Sequence, residues 1–138
     1  MRLPPAAIDT NVVVSGMLTA DPESPTARIL DGMLEGRFSY LLSIELLAEY
    51  REVLLRPRIR KVHRLSDAEI DVLLTAIALN AIVVAPAESP EAAPDRGDQH
   101  LWNLIHAYPG SILVSGDALL LQSTRVVPPR EFIRLLEG

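Results

Sequence analysis

The chain has 138 residues, 49% of them hydrophobic and 22% charged, which suits one domain with a buried core and excludes a disordered chain. It has no cysteine, so disulfides, thiolate metal sites and thiol catalysis are excluded. The net charge of −5 is weak evidence against nucleic acid as a partner, and the distribution of charge along the chain matters more than its sum. No apolar stretch approaches the roughly 20 residues that span a bilayer, and the first residues lack the apolar run of a secretory signal. We therefore expect a single domain over residues 1–138 in the cytoplasm.

The first half of the chain predicts two strands and three helices. Ser24-Pro25 is typical of a helix start, because serine caps the first turn and proline fits the first helical position. In chain order, the predicted elements are a strand from near Arg2 to Asp9, a helix through Met17, a helix from Ser24 to about Gly36, a strand over residues 39–42, and a helix that Ser43 caps and Pro57 ends.

The second half continues the alternation of helices and short apolar strands. Ser66 and Glu69 have the spacing of a capping box, which predicts a helix to about Asn80. The elements after it are a strand over residues 81–85, a proline-containing loop over 86–94, a helix over 99–107, a strand over 111–115, a helix beginning at Leu119, a strand at Val126-Val127, and a closing helix from Pro129. Short, nearly all-apolar strands that alternate with helices predict a three-layer α/β/α fold with a short central parallel sheet.

Two aspartates stand where predicted strands end. Ligands of parallel sheets bind outside the carboxyl ends of the strands, at a switch in strand order, and Asp9 and Asp117 both lie at such ends. Each aspartate could instead be the N-cap of the helix that follows it. Glu49 lies at the margin of the apolar sector of its helix, from where it can reach towards strand ends. Its alternative role is an exposed ion-pair partner for Arg51 or Arg56.

Asp95 and Asp98 precede the predicted helix over residues 99–107. Asp98 is a natural N-cap of that helix, whereas Asp95 belongs to the loop before it. Carboxylates that point at one place repel each other unless a cation lies between them. A set of oxygen ligands without cysteine or histidine favours Mg²⁺ or Mn²⁺, ions that activate water and stabilise charge on a phosphate during hydrolysis.

Several other site types lack their signatures in this chain. There is no phosphate-binding P-loop and no glycine-rich dinucleotide fingerprint. The serines show no evident catalytic triad. The three histidines, at positions 63, 100 and 106, show no metal-ligand spacing and are expected at solvated surface or helix positions. Trp102 and Tyr50 are expected in the core.

One short stretch concentrates positive charge on an otherwise acidic chain. Its members are Arg51, Arg56, Arg58, Arg60, Lys61, His63 and Arg64. Such a cluster is either a solvated helix end or a surface that faces phosphates, and the sequence leaves both interpretations open.

Taken in order, four of these segments resemble the PIN domain, and the resemblance covers essentially the whole chain. They are Ile8-Asp9-Thr10-Asn11-Val12, Ser43 through Leu47 to Glu49-Tyr50, Pro94-Asp95-Arg96-Gly97-Asp98, and Ser115-Gly116-Asp117. The ending Pro128-Pro129-Arg130-Glu131-Phe132 is similar to the branch that contains toxin components of prokaryotic toxin–antitoxin pairs. Each segment alone is common, but four in order at fitting spacings form a specific signal.

The resemblance implies a Mg²⁺- or Mn²⁺-dependent endoribonuclease that forms homodimers and is held inactive by a cognate antitoxin. It also implies roles for individual residues. Asp9, Glu49, Asp98 and Asp117 match the acids of the metal site, and Asp95 matches a further acid. Asn11 and Ser115 match the polar neighbours that orient the first acid, a metal-bound water or a phosphate.

The chain departs from the family pattern after its last aspartate. Related proteins often carry another acid two residues later, where this chain has Leu119, so a second metal site is in doubt. Arg96, between the acids at 95 and 98, is also unusual. We expect it either to form an ion pair with these acids in the metal-free state or to bind a phosphate.

Three alternatives to an active ribonuclease follow from these features. The first is a catalytically weak PIN-fold module that binds RNA or a protein partner, which the loss of the acid at Leu119 would suit. The second is a Mg²⁺-dependent phosphatase, but that class needs an aspartate where this chain has Asn11. The third is an α/β domain whose acids are all helix caps.

Overall fold

The computed structural model describes residues 3–138 and contains one five-stranded parallel sheet. The strands are short: β1 (Ala6–Ile8), β2 (Tyr40–Leu42), β3 (Ile82–Val83), β4 (Ile112–Val114) and β5 (Val126–Val127). Every predicted strand is present, though each is shorter than expected except the last. The predicted start of the first strand near Arg2 lies outside the described residues.

Seven helices flank this sheet in the described part of the chain. They are α1 (Thr10–Leu18), α2 (Pro25–Glu35), α3 (Ile44–Leu54), α4 (Pro57–His63), α5 (Asp67–Asn80), α6 (Gln99–Ala107) and α7 (Pro129–Glu137). Single 3-10 turns at Arg96–Asp98 and Leu120–Gln122 complete the regular structure. The predicted three-layer α/β/α fold is therefore confirmed.

The strand order β3-β2-β1-β4-β5 creates a switch point beside β1. The chain moves outwards from β1 through β2 to β3, then returns to place β4 on the other side of β1. Ile8 lies opposite Val114 in the β1–β4 ladder, so both strands end at the same level. The Asp9 N–H extends this pairing by donating to the Val114 carbonyl at 2.9 Å. The crevice that parallel sheets use for ligands therefore opens next to the residues that follow β1 and β4.

Local capping signals locate several helix ends correctly. Ser24 accepts from the Ala27 N–H at 3.3 Å at the start of α2, and Gly36 ends that helix with a φ of 67°. Such a left-handed conformation favours glycine. The capping box is present, because the Ser66 hydroxyl accepts from the Glu69 N–H and the Glu69 carboxylate accepts from the Ser66 N–H.

Two predicted helix boundaries are wrong. Pro57 does not end the helix that Ser43 caps; α3 has already ended at Leu54, and Pro57 occupies the first turn of the separate helix α4. This fits proline chemistry, since the missing N–H costs nothing at a helix start. The helix predicted from Leu119 is only one 3-10 turn, because β5 begins at Val126 and leaves no room for further turns.

The core lies between the sheet and the helices and includes both aromatic residues expected there. Tyr50 is fully buried and Trp102 is 3% exposed. The Tyr50 hydroxyl donates to the Ile8 carbonyl, which ties α3 to the end of β1. Burial raises the pKa of the Tyr50 phenol well above its usual value, so it stays a donor. Within residues 3–138, no helix combines the length and apolarity needed to cross a membrane.

Candidate active site

A pocket of about 740 Å³ opens at the switch point between β1 and β4. Four of the acids identified in the sequence line it, and they come from four separate segments of the chain: Asp9, Glu49, Asp98 and Asp117. Asn11 also lines this pocket, and Ser115 lies directly beneath it through a hydrogen bond to Asp9. Asp95 does not line it.

Asp9 is a buried carboxylate held by residues from both strand ends. The Ser115 hydroxyl donates to Asp9 Oδ2 at 2.7 Å, and the Asn11 amide donates to the same oxygen at 3.2 Å. The Asp9 side chain makes no capping hydrogen bond to α1, so the capping alternative is wrong for this residue. Burial raises the pKa of Asp9, and the Ser115 hydrogen bond opposes that rise. The carboxylate is thus oriented, yet desolvated without a positive charge beside it.

Glu49 has both carboxylate oxygens engaged by other segments. The Thr10 hydroxyl donates to Oε1, and His100 Nε2 lies 2.9 Å from Oε2. The alternative partners do not contact Glu49: Arg51 pairs with Asp71, and Arg56 pairs with Glu52. The helix margin predicted for Glu49 therefore faces the strand ends, as expected.

Asp98 does not cap α6 with its side chain, contrary to the sequence-based expectation. The turn before α6 explains why, since Asp95 caps it by accepting from the Gly97 N–H at 3.1 Å. The Asp98 carboxylate makes no capping bond and lines the pocket instead. Its pKa rises to about 6, first through burial and then through the negative charges of its neighbours, namely Asp9, Asp95, Asp117 and Glu49.

Asp117 belongs to a tight turn after β4. Its Oδ1 accepts from the Leu119 N–H at 2.9 Å, and its own N–H donates to the Ser115 hydroxyl at 3.0 Å. The capping role expected as an alternative is therefore partly realised. The Gly116 N–H lies 3.4 Å from Asn11 Oδ1, so the two strand-end loops are joined above Asp9.

The donor type and charge of this pocket fit a hard divalent cation. Its acids offer only oxygen ligands. Burial and, after it, the repulsion among these acids raise the pKa of Asp98, and a cation would relieve that repulsion. As they stand, however, no three histidine or acidic side chains in residues 3–138 are grouped closely enough to hold a metal ion.

Thr10 and His100 are site residues that the sequence reasoning missed. His100 was expected on surface, but its side chain is only 19% exposed and it contacts Glu49. Its Nδ1 is buried with no hydrogen-bond partner among the described residues. A usable signal existed, since His100 follows Asp98 by two residues in the first turn of α6. The expectation holds better for His63 and His106, which bond to Leu54 and Trp102 carbonyls away from the pocket.

The basic stretch reaches the pocket through one member. Arg56 lines the pocket, whereas Arg51 and Arg60 pair with acids of α5. Three exposed cations of this stretch have no carboxylate partner in residues 3–138: Arg58, Lys61 and Arg64. Ion pairs and solvated positions thus describe most of the stretch, and a surface that faces phosphates stays a prediction.

Arg96 does not pair with the acids on either side of it in the described structure. It is exposed and lines a separate shallow pocket with the proline-containing loop, residues 88–93. The ion pair expected between Arg96 and Asp95 or Asp98 is therefore not formed. The other role expected for Arg96, binding a phosphate, stays a prediction.

A family model described as PIN domain matches residues 5–119, a range that contains β1 to β4 and all five acids of the predicted site. The chain matches no curated protein and no solved structure.

Proposed function

Since the chain belongs to the PIN domain family, whose members are generally nucleases, we propose that it is a metal-dependent endoribonuclease. One observation carries the proposal: four acids from separate segments line a single pocket at the switch point of the sheet. A structural role for these acids would not require them to converge, because caps and surface ion pairs are satisfied locally.

The proposed ligands of a Mg²⁺ or Mn²⁺ ion are Asp9, Glu49, Asp98 and Asp117, with Asp95 as an additional acid nearby. Such an ion stabilises negative charge on a phosphate and makes a bound water more acidic. Ser115 and Asn11 orient the Asp9 carboxylate through Oδ2, and Thr10 and His100 orient Glu49.

In the proposed reaction, the oxygen of a water forms a bond to phosphorus, and a bond between phosphorus and a ribose oxygen breaks. The carboxylates of the pocket accept hydrogen bonds from the attacking water and fix its direction. The proton that the water loses passes to the ribose oxygen that leaves, so the products are a phosphate monoester and a ribose hydroxyl. Arg56 and the exposed cations of α4 contribute contacts to the RNA backbone, which the acidic pocket would otherwise repel.

The biological setting is a further part of the proposal. The similarity of residues 128–132 to toxin components supports the role of a cytoplasmic toxin in a toxin–antitoxin pair. In this proposal the chain is a single domain over residues 1–138, forms a homodimer and binds a cognate antitoxin. Co-expression with the product of a neighbouring small gene tests this part. Growth arrest that the second product relieves supports it, and unaffected growth on expression of the chain alone contradicts it.

A catalytically weak binding module is the second candidate, and two observations favour it. Leu119 stands where related chains often carry an acid, and the four acids are not grouped closely enough to hold an ion as they stand. Calorimetric titration with Mn²⁺ near neutral pH separates the candidates, because a nuclease requires saturable binding. A Mg²⁺-dependent phosphatase is less supported, since Asn11 donates to Asp9 where that class needs an acid.

Cleavage of single-stranded RNA in the presence of Mn²⁺ tests the proposed function directly. Wild type should cut, and Asp9→Asn should lose the activity, because the variant lowers the charge of the pocket while keeping its shape. Asp31→Asn, a change on the exposed face of α2, is the matched control and should cut like wild type. Equal cleavage by wild type and Asp9→Asn would show that another site or a contaminant is responsible.

A further inference from the structure

The pocket is much larger than a metal ion needs. An ion with its waters fills roughly 200 Å³, at about 30 Å³ for each water. The pocket has about 740 Å³, which lies within the range of about 300 to 1,000 Å³ that is typical of sites for organic ligands. Several hundred Å³ therefore remain beside the acids.

This remaining space is a groove between one face of α1 and one face of α3. On α1 the lining residues form two adjacent rows that each repeat every four positions, one of Thr10, Val14 and Leu18 and one of Asn11, Ser15 and Thr19, the last just after the helix. With a rise of about 1.5 Å per residue, these rows extend about 12 Å from the acids. On α3 the lining continues from Glu49 to Glu52 and Val53, and Arg56 follows immediately before α4.

The chemistry of the groove changes along its length. Its inner end carries the four acids, and its outer end carries the ion pair of Arg56 and Glu52. Between them the wall is aliphatic at Val14, Leu18 and Val53, with the hydroxyls of Ser15 and Thr19 along one margin. Within residues 3–138 the one carboxylate that pairs with the Arg56 side chain is the exposed Glu52, at 3.3 Å between NH2 and Oε1. An exposed pair of this kind is weak, so an incoming phosphate can replace Glu52 as the partner.

We propose that this groove binds the nucleoside next to the scissile phosphate, with its base against the aliphatic walls and its distal phosphate at Arg56. The inference rests on the proposed ribonuclease function. The ligand class is single-stranded RNA with at least two consecutive phosphates, because a base in a duplex is paired and stacked and cannot present its face to the walls.

Blocking the groove tests the proposal without touching the acids. Ser15 is exposed on α1 and lines the groove, so Ser15→Tyr fills the space where the base would lie. Val72→Tyr, at an exposed position of α5, is the matched control. The probe is a short fluorescein-labelled oligouridylate, and its binding is measured by anisotropy in Ca²⁺ buffer.

Ser15→Tyr should weaken binding of the probe by about tenfold or more, the range expected for loss of one base contact. Val72→Tyr should bind like wild type, and a duplex of the same sequence should compete poorly. If Ser15→Tyr binds the probe as tightly as wild type, the groove does not bind the nucleoside, and it either holds a protein segment or stays empty. That result leaves the nuclease proposal intact. If wild type binds no RNA and cleaves none, both proposals fail.

The length of the ligand tests the role of Arg56. Arg56→Gln should weaken competition by a trinucleotide with two internal phosphates several-fold, and should leave competition by a dinucleoside monophosphate unchanged. Arg37→Gln, an exposed arginine just before β2 at the opposite end of the sheet, should change neither. An equal effect of Arg56→Gln on both ligands would overturn the assignment of the distal phosphate.

Discussion

Replacing Asp98 with asparagine should stabilise the metal-free protein at neutral pH. The pKa of Asp98 rises from an ordinary 3.8 to about 6 in the folded chain. Between these values the native state holds a proton that the unfolded state has lost, so stability falls as the pH rises through this window. Above pH 6 the wild type carries the whole cost of an ionised Asp98, and the asparagine variant does not.

The size of the effect follows from the shift. About two pKa units at 1.36 kcal/mol each give an upper limit of about 3 kcal/mol. Asp98 is partly exposed, and solvent screening reduces this to about 1 to 1.5 kcal/mol. Asparagine loses no capping bond, because the Asp98 side chain makes none.

Urea denaturation in EDTA measures this prediction at pH 4.5, 6 and 7.5. The variant should exceed wild type most at pH 7.5 and least at pH 4.5, and Asp31→Asn on α2 should show no such trend. With Mn²⁺ the order should reverse, since wild type gains a ligand that the variant holds less tightly. A variant that is less stable than wild type at pH 7.5 in EDTA would show that ionised Asp98 does not destabilise the metal-free fold.

Three further changes test the surroundings of the pocket. Ser115→Ala removes a donor from the buried Asp9 and should lower the free energy of unfolding by about 1–3 kcal/mol in urea at pH 7.5; unchanged stability would contradict this. Gly16→Ala should also destabilise, by about 1–3 kcal/mol, because the new Cβ would lie 2.6 Å from a carbonyl oxygen of α2. Alanine normally favours a helix, so a stabilised variant would disprove the close packing. His100→Leu removes the contact that orients Glu49 Oε2 and should weaken Mn²⁺ binding about tenfold in calorimetry. His100→Gln should weaken it less. Equal affinity of wild type and both variants would show that His100 has no positioning role.

The sequence predicts the fold well where its signals are local. Serine caps at 24, 43 and 66 and the glycine at 36 determine helix ends through contacts within four residues, and the structure confirms all four. Short apolar runs likewise predict the strands. The order of the strands depends on pairing between distant segments, which no local pattern contains.

The contacts that distinguish this pocket are long-range, and the sequence reasoning missed them. Thr10 and His100 reach Glu49 across 39 and 51 residues of chain, respectively. The expected cap at Asp98 failed for a local reason instead, because Asp95 takes the capping role one turn earlier. Proximity of acids to strand ends was thus predictable, whereas their hydrogen-bond partners were not.

An anomalous diffraction experiment on crystals soaked in Mn²⁺ tests whether the acids around the switch point act together as ligands of one divalent site. We expect an anomalous peak within about 2.3 Å of carboxylate oxygens of at least two of these residues, which are Asp9, Glu49, Asp98 and Asp117. A well-occupied peak elsewhere on the chain, or none in a fully soaked crystal, would contradict it.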